Sequence, residues 1–203
     1  MSDEAYYLWR KLTQSTSSGS SLNKALQYTQ YNLQTLVSQP FMVEDINCQT
    51  CTLDQLNQYV HSPEDETVAV YLQIGDTLLG HAVIIIPMMD AWQLAEWLLQ
   101  EPVIHDEGID PLMSSALAET GNVMIASFLN ALSQLNKQTS ILPSPPAVIV
   151  DMLATVMQVV ATAVASSFDE VTIIEADFRH VASDLFIRLW LLPDPTTFIM
   201  ARR

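Results

Sequence analysis

The chain has 203 residues, 49% of them hydrophobic, and a mean hydropathy of +0.21, the composition of a globular protein with a sizeable core. Eight Lys and Arg stand against 23 Asp and Glu, a formal net charge of −15, and no cation occurs between Lys24 and Lys137. That balance excludes binding to nucleic-acid phosphates and to anionic membranes, both of which need clustered cations.

In chain order, hydrophobic spacing predicts a first helix over about 4–37, broken by the Ser-rich Ser15 to Ser21 segment. The opening MSDEAYYLWRKL lacks the basic flank and apolar run of a signal peptide, so a cytoplasmic location is expected. A short extended piece follows at Phe41 to Ile46, then Cys48-Gln-Thr-Cys51 at the start of a helix over Leu53 to Val60. A redox motif of this form belongs in a βαβ unit, and a four-ligand zinc site needs a second pair. The two cysteines are therefore read as incidental. Ser62 to Glu66 is a polar turn. Thr67 to Ile74 and Leu78 to Ile86 read as strands joined by the hairpin signal Gly75-Asp76, ended by Pro87 and followed by an amphipathic helix over Ala91 to Gln100.

The second half replays this order. A long helix is expected over Pro111 to Asn136, with Asp110 as its cap and Pro111 in the first helical position. An extended piece at Ala147 to Val150 leads to a helix that Asp151 caps and that runs to about Ser167. Strands follow at Val171 to Phe178 and Leu185 to Leu192, closed by Pro193. The most apolar stretch, Ala147 to Ala165, carries Asp151 and Gln158 and falls short of the roughly 20 apolar residues of a membrane span. Pro87 and Pro193 are 106 apart, as are Ala25-Leu26 and Ala131-Leu132, which supports an internal duplication of helix, strand, helix and β-hairpin. Each half supplies only one short extended piece and one hairpin, too little for an independent sheet. The expected fold is thus mixed α/β (α+β): one domain over 1–203, repeat one at about 4–100 and repeat two at about 110–203, with six strands in one sheet and helices packed on it.

The long helix carries the candidate site. Leu112, Leu117, Val123, Phe128, Leu129, Leu132 and Leu135 form its expected packed side. Ser115, Glu119, Asn122, Ala126 and Ser133 form a second stripe, in which Glu119 and Asn122 are i, i+3 neighbours. Gly121 costs about 1 kcal/mol relative to Ala in a helix interior, so something is expected to approach the backbone there. The polar stripe Asp151, Thr155, Gln158, Thr162 and Ser166 is a candidate to line the same groove. His61, His81, His105 and His180 are scattered without paired-ligand spacing, and no metal site is expected.

Ser115-x3-Glu119-x2-Asn122, with Pro145 after 22 intervening residues, is similar to the signature of the CheC-type (CheC/CheX/FliY) phosphatases of bacterial and archaeal chemotaxis. Ala118-Glu119-Thr120-Gly121-Asn122, Asn130-Ala131-Leu132-Ser133 and Leu142-Pro143-Ser144-Pro145-Pro146 extend the resemblance. It implies a duplicated α/β fold and hydrolysis of the phosphoaspartate of a CheY-like response regulator. Asn122 would orient the water and Glu119 would dock the regulator's lysine, with Ser115, Gly121, Ala126 and Pro145 in support. No cofactor of its own is implied, because Mg2+ comes on the partner regulator. In the first repeat Thr13 and Thr16 stand where Glu119 and Asn122 stand in the second, which resembles single-site members. The alternative is a non-catalytic module that sequesters a regulator or recruits a CheD-like deamidase; a homodimer is compatible with either.

Overall fold

The computed structural model describes residues 20–52, 62–75, 80–105, 108–136, 141–164 and 170–194. The expected helical turns over 4–19, the helix over Leu53 to Val60, and Thr13 and Thr16 lie outside them. The described elements are α1 (Ser21–Val37), β1 (Phe41–Thr52), β2 (Glu66–Ile74), β3 (Gly80–Pro87), α2 (Met88–Leu99), α3 (Pro111–Asn136), β4 (Ala147–Met152), α4 (Leu153–Val164), β5 (Glu170–His180) and β6 (Phe186–Pro193).

The six strands form one antiparallel sheet in the order β1-β5-β6-β3-β2-β4. Exchanging β1 with β4, β2 with β5 and β3 with β6 returns the same order reversed, as a duplicated fold with an internal two-fold requires. Each half's first strand pairs with the other half's hairpin, β1 on β5 and β4 on β2. One face of the sheet carries Val68, Val70, Leu72, Ile84, Ile174, Phe178 and Leu189, buried under α1, α2 and α3. The opposite face carries Ala69, Val83, Ile85, Ile173 and Trp190, which pack with Val156, Met157 and Val160 of α4. By length and apolar composition alone α3 passes for a membrane span, but Leu117, Met124, Ile125 and Phe128 are sealed in the core, as in a core helix.

The duplication is less uniform than a constant offset of 106 implies. Ala25, Leu26, Ala131 and Leu132 are all buried in the same core, so the offset holds for the paired helices. In the last strands it does not. Ala82 and Ile84 face the helical layer in β3, whereas Arg188 and Trp190, 106 residues on, point to the other face of β6. Strand side chains alternate, so only an odd offset keeps β3 and β6 equivalent. Pro87 and Pro193 match as strand ends but not as side-chain positions.

β1 is twelve residues long, not the short piece ending at Ile46, and it includes both cysteines. Cys48 lies opposite Ile174 and Cys51 opposite Val171, residues on opposite faces of the sheet. Three residues along a strand span about 10 Å, beyond the roughly 7 Å that a disulfide bridges. Burial pushes both thiols above their ordinary pKa. They are free cysteines in a strand, not a motif at a helix start.

Asp177 is completely buried on the α4-side face of β5. Arg188 donates to both its oxygens, Nε to Oδ1 at 2.8 Å and NH2 to Oδ2 at 2.9 Å, and Arg179 donates to Oδ2 at 3.3 Å. Arg179 also lies 3.4 Å from Glu44 and 3.6 Å from Asp45 of β1, tying that edge strand down. Asp177→Ala leaves two guanidiniums without their shared acceptor, and we expect a loss of about 3 kcal/mol in denaturant unfolding. For the cysteines, the native protein should keep its mass on reduction, and the buried Cys51 should react with thiol reagents only after denaturation.

Candidate functional site

α3 starts as expected. Asp110 Oδ1 accepts from the N–H groups of Leu112 (2.7 Å) and Met113 (2.8 Å), and Pro111 opens the helix, which runs to Asn136. The buried side differs from the expected one. Met113, Leu117, Met124, Ile125, Phe128, Leu129 and Leu132 are buried, whereas Leu112 is 59% exposed in the first turn and Val123 is half-buried.

Along the outer side run Ser115 and Glu119, both exposed, then Asn122 and Ala126, both half-buried. Successive steps of four, three and four put them on one strip about 16 Å long, at 1.5 Å per residue. Glu119 and Asn122 have no hydrogen-bond or ion-pair partner among the described residues, so carboxylate and carboxamide stand one turn apart with their polar atoms free. Ser115 makes no bond to Glu119. Ser133, assigned to the same stripe from sequence, is buried, and its hydroxyl has no partner.

Gly121 belongs to the opposite side. Two residues along a helix turn about 200°, so Gly121 faces away from Glu119. It is buried against β2, and a Cβ built there would lie 2.7 Å from Val70 Cγ1 and 2.9 Å from Val70 Cβ. The close approach read from the glycine is made by the chain's own sheet, not by a docking partner. Only the helix-interior glycine marks this contact in the sequence; nothing there points to Val70.

Pro145 is exposed in the segment that leads into the edge strand β4. Ile74 lies opposite Pro143 and Tyr71 opposite Ala147, so Leu72 and Gln73 face three residues, Ser144 to Pro146. That extra residue makes a bulge, where a proline without an N–H is tolerated. Ser144 secures it: its N–H donates to Gln73 O (2.9 Å) and its Oγ accepts from Gln73 N (2.9 Å). Gln73 lies three residues along β2 from the Val70 that carries Gly121, about 10 Å away.

The stripe after Asp151 is on the wrong side of the molecule to join this site. α4 packs on the sheet face opposite α3. Asp151 itself lies in β4, where its Oδ1 accepts from Met152 N (2.7 Å), and the helix begins at Leu153. Among the described residues no group of three or more His, Cys, Asp or Glu is placed to hold a metal ion. Arg179 and Arg188 are bound to Asp177 on the α4-side face, remote from Glu119 and Asn122.

Because both side chains stand at the surface without partners, Glu119→Ala and Asn122→Ala should shift unfolding free energy by no more than about 0.5 kcal/mol. Thermal or denaturant melts of the two variants check this.

Residues 112–150 match the model of the CheC-like family. The chain is 28% identical over 152 residues to the CheY-P phosphatase CheC of Bacillus subtilis (strain 168), covering 72% of each chain. Among solved structures it is similar to Thermotoga maritima FliY, with a TM-score of 0.68 and 14% identity over 93% of this chain and 96% of that one. It is also similar to a chain of the CheX–CheY–BeF3–Mg2+ complex from Borrelia burgdorferi, with a TM-score of 0.50 and 16% identity over 85% of this chain and 97% of that one. The two solved structures show a shared fold; the resemblance to the CheC-type family rests on the motif-bearing residues and on the Bacillus relative.

Proposed function

We propose that this chain hydrolyses the phosphoaspartate of a CheY-like response regulator from a single site on α3. One observation carries the reading: a carboxylate and a carboxamide, i, i+3 on the outer face of a helix, with no partner and no cation beside them among the described residues. A general base would need only the acid. A self-sufficient phosphoryl-transfer site would need positive charge for the equatorial oxygens. Among the described residues this pair has no such charge, so it suits a substrate that brings its own. Similarity to a CheY-P phosphatase and to a CheX captured with CheY, BeF3 and Mg2+ supports the same partner class.

The reaction takes an acyl phosphate and water to a free carboxylate and inorganic phosphate. Asn122 holds the water in line by hydrogen bonding, the water oxygen forms the new bond to phosphorus, and the bond from phosphorus to the aspartyl oxygen breaks. A neutral amide suits this place, because a carboxylate would repel the phosphoryl oxygens. Glu119, exposed on the helix surface, pairs with the regulator's lysine and sets the angle of approach. The regulator's own divalent ion supplies charge stabilisation. Acyl phosphates are labile already, so holding the water is the main contribution. The regulators of two-component pathways are cytoplasmic, and this reading places the chain with them.

A regulator labelled with phosphate should lose it faster in the presence of the wild-type chain. Asn122→Ala should return the rate to the regulator's own, and Glu119→Lys should raise KM by about tenfold or more through like-charge contact with the lysine. No acceleration by the wild type with any regulator of its own cell would sink the enzymatic reading. Tight binding without acceleration would select the sequestering module, a reading that Thr13 and Thr16 in the first repeat favour, since there the same scaffold lacks both groups.

A further inference from the structure

We infer that Gly121 is a positioning residue for Asn122, acting through its contact with Val70 across the helix–sheet interface. The inference rests on the phosphatase reading above. It names a requirement which that reading does not contain: a bare Cα beneath the catalytic turn.

The geometry is specific. The three atoms nearest to a Cβ at position 121 all belong to Val70: Cγ1 at 2.7 Å, Cβ at 2.9 Å and Cγ2 at 3.4 Å. Rotating the valine does not relieve the clash, because its Cβ is fixed by the backbone. The sheet has little freedom to recede either. Val70 is fully buried, and its strand is bonded on both sides, with Ile84 of β3 and Val148 of β4 as its opposite numbers. Ordinary contact begins at 3.4 Å, so about 0.7 Å of movement falls to α3.

α3 cannot take up that movement as a whole. On either side of Gly121 its turns are held: Leu117, Met124 and Ile125 are in the core, and Ser127 accepts a hydrogen bond from Asn32 of α1 at 3.0 Å. The displacement is therefore absorbed locally, as a bend or rotation of the turn that carries both Glu119 and Asn122. Asn122 follows Gly121 directly and swings with it. A water held in line by one carboxamide tolerates little of this, since misplacement near 1 Å can cost about a hundredfold in rate.

The two relief variants order themselves by distance. Beside Gly121→Ala, Val70→Ala removes both methyls and leaves the closest approach at 2.9 Å, whereas Val70→Gly removes all three contacting atoms. Turnover with a phosphorylated regulator should fall about tenfold or more in Gly121→Ala. It should then rise stepwise in Gly121→Ala/Val70→Ala and in Gly121→Ala/Val70→Gly. Affinity for the beryllofluoride-activated regulator should stay within about threefold throughout, so the change lies in kcat. Val70→Ala and Val70→Gly alone lose buried methyls and are expected to lower stability. Activity rising against stability is the signature that a merely structural glycine would not give.

A folded Gly121→Ala protein with wild-type turnover overturns the inference, as does turnover that tracks melting temperature across the series. Should Gly121→Ala alone fail to fold, the order of the two double variants decides. An inactive wild type counts against the phosphatase reading instead, which keeps the two failures apart.

Discussion

The pairing of β3 with β6 at the centre of the sheet is the interaction on which everything else hangs. Gly80 to Ile85 run antiparallel to Arg188 to Pro193, and Ala82, Ile84, Leu189 and Leu191 fill one side of the seam. Around it the halves interlock, because β1 crosses to β5 and β4 crosses to β2. Neither half can complete its sheet alone. A three-stranded half would leave two open edges and an uncovered apolar face, the condition that makes small sheets unstable or sticky. The helix that carries the candidate site inherits this dependence: α3 comes from the second half, but the strand beneath Gly121 is β2 of the first.

That division explains which parts of the molecule were legible in the sequence. α3 was readable to the residue because its signals are local: Asp110 accepts from two free N–H groups, and Pro111 suits the first turn. β2 and β3 were readable because they are buried on both faces and appear as near-continuous apolar runs, and β5 and β6 because their β-branched and aromatic residues outweigh the few charges among them. β1 was cut short because it is an edge strand, with Glu44, Asp45, Asn47 and Gln49 among its residues and a register break between Glu44 and Asn47. At such an edge, composition no longer reports conformation. Asp151 was misread for a related reason: one acidic residue before an apolar run fits both a helix cap and the last turn of an edge strand.

The site was legible in its outward members and illegible in its support. Spacing alone places Ser115, Glu119, Asn122 and Ala126 on one strip, because helix periodicity is a local rule. Gly121 sits inside the same motif, and sequence proximity suggested the same role. The contact that gives the glycine its meaning is with Val70, 51 residues earlier, and such a contact leaves no mark on local periodicity. Leu112 shows the reverse error. It fits the apolar period, but in the first turn it is Met113 that enters the core, so Leu112 remains exposed.

The first copy of the repeat offers an internal comparison. In the sequence, an offset of 106 sets Glu119, Gly121 and Asn122 against Thr13, Ser15 and Thr16, which lie outside the described residues. The carboxylate, the carboxamide and the glycine between them are replaced together. A helix-interior glycine costs about 1 kcal/mol, and a copy without a water to position has no reason to bear that cost. All three groups change together between the copies, as expected of a glycine kept for the proposed chemistry of the pair.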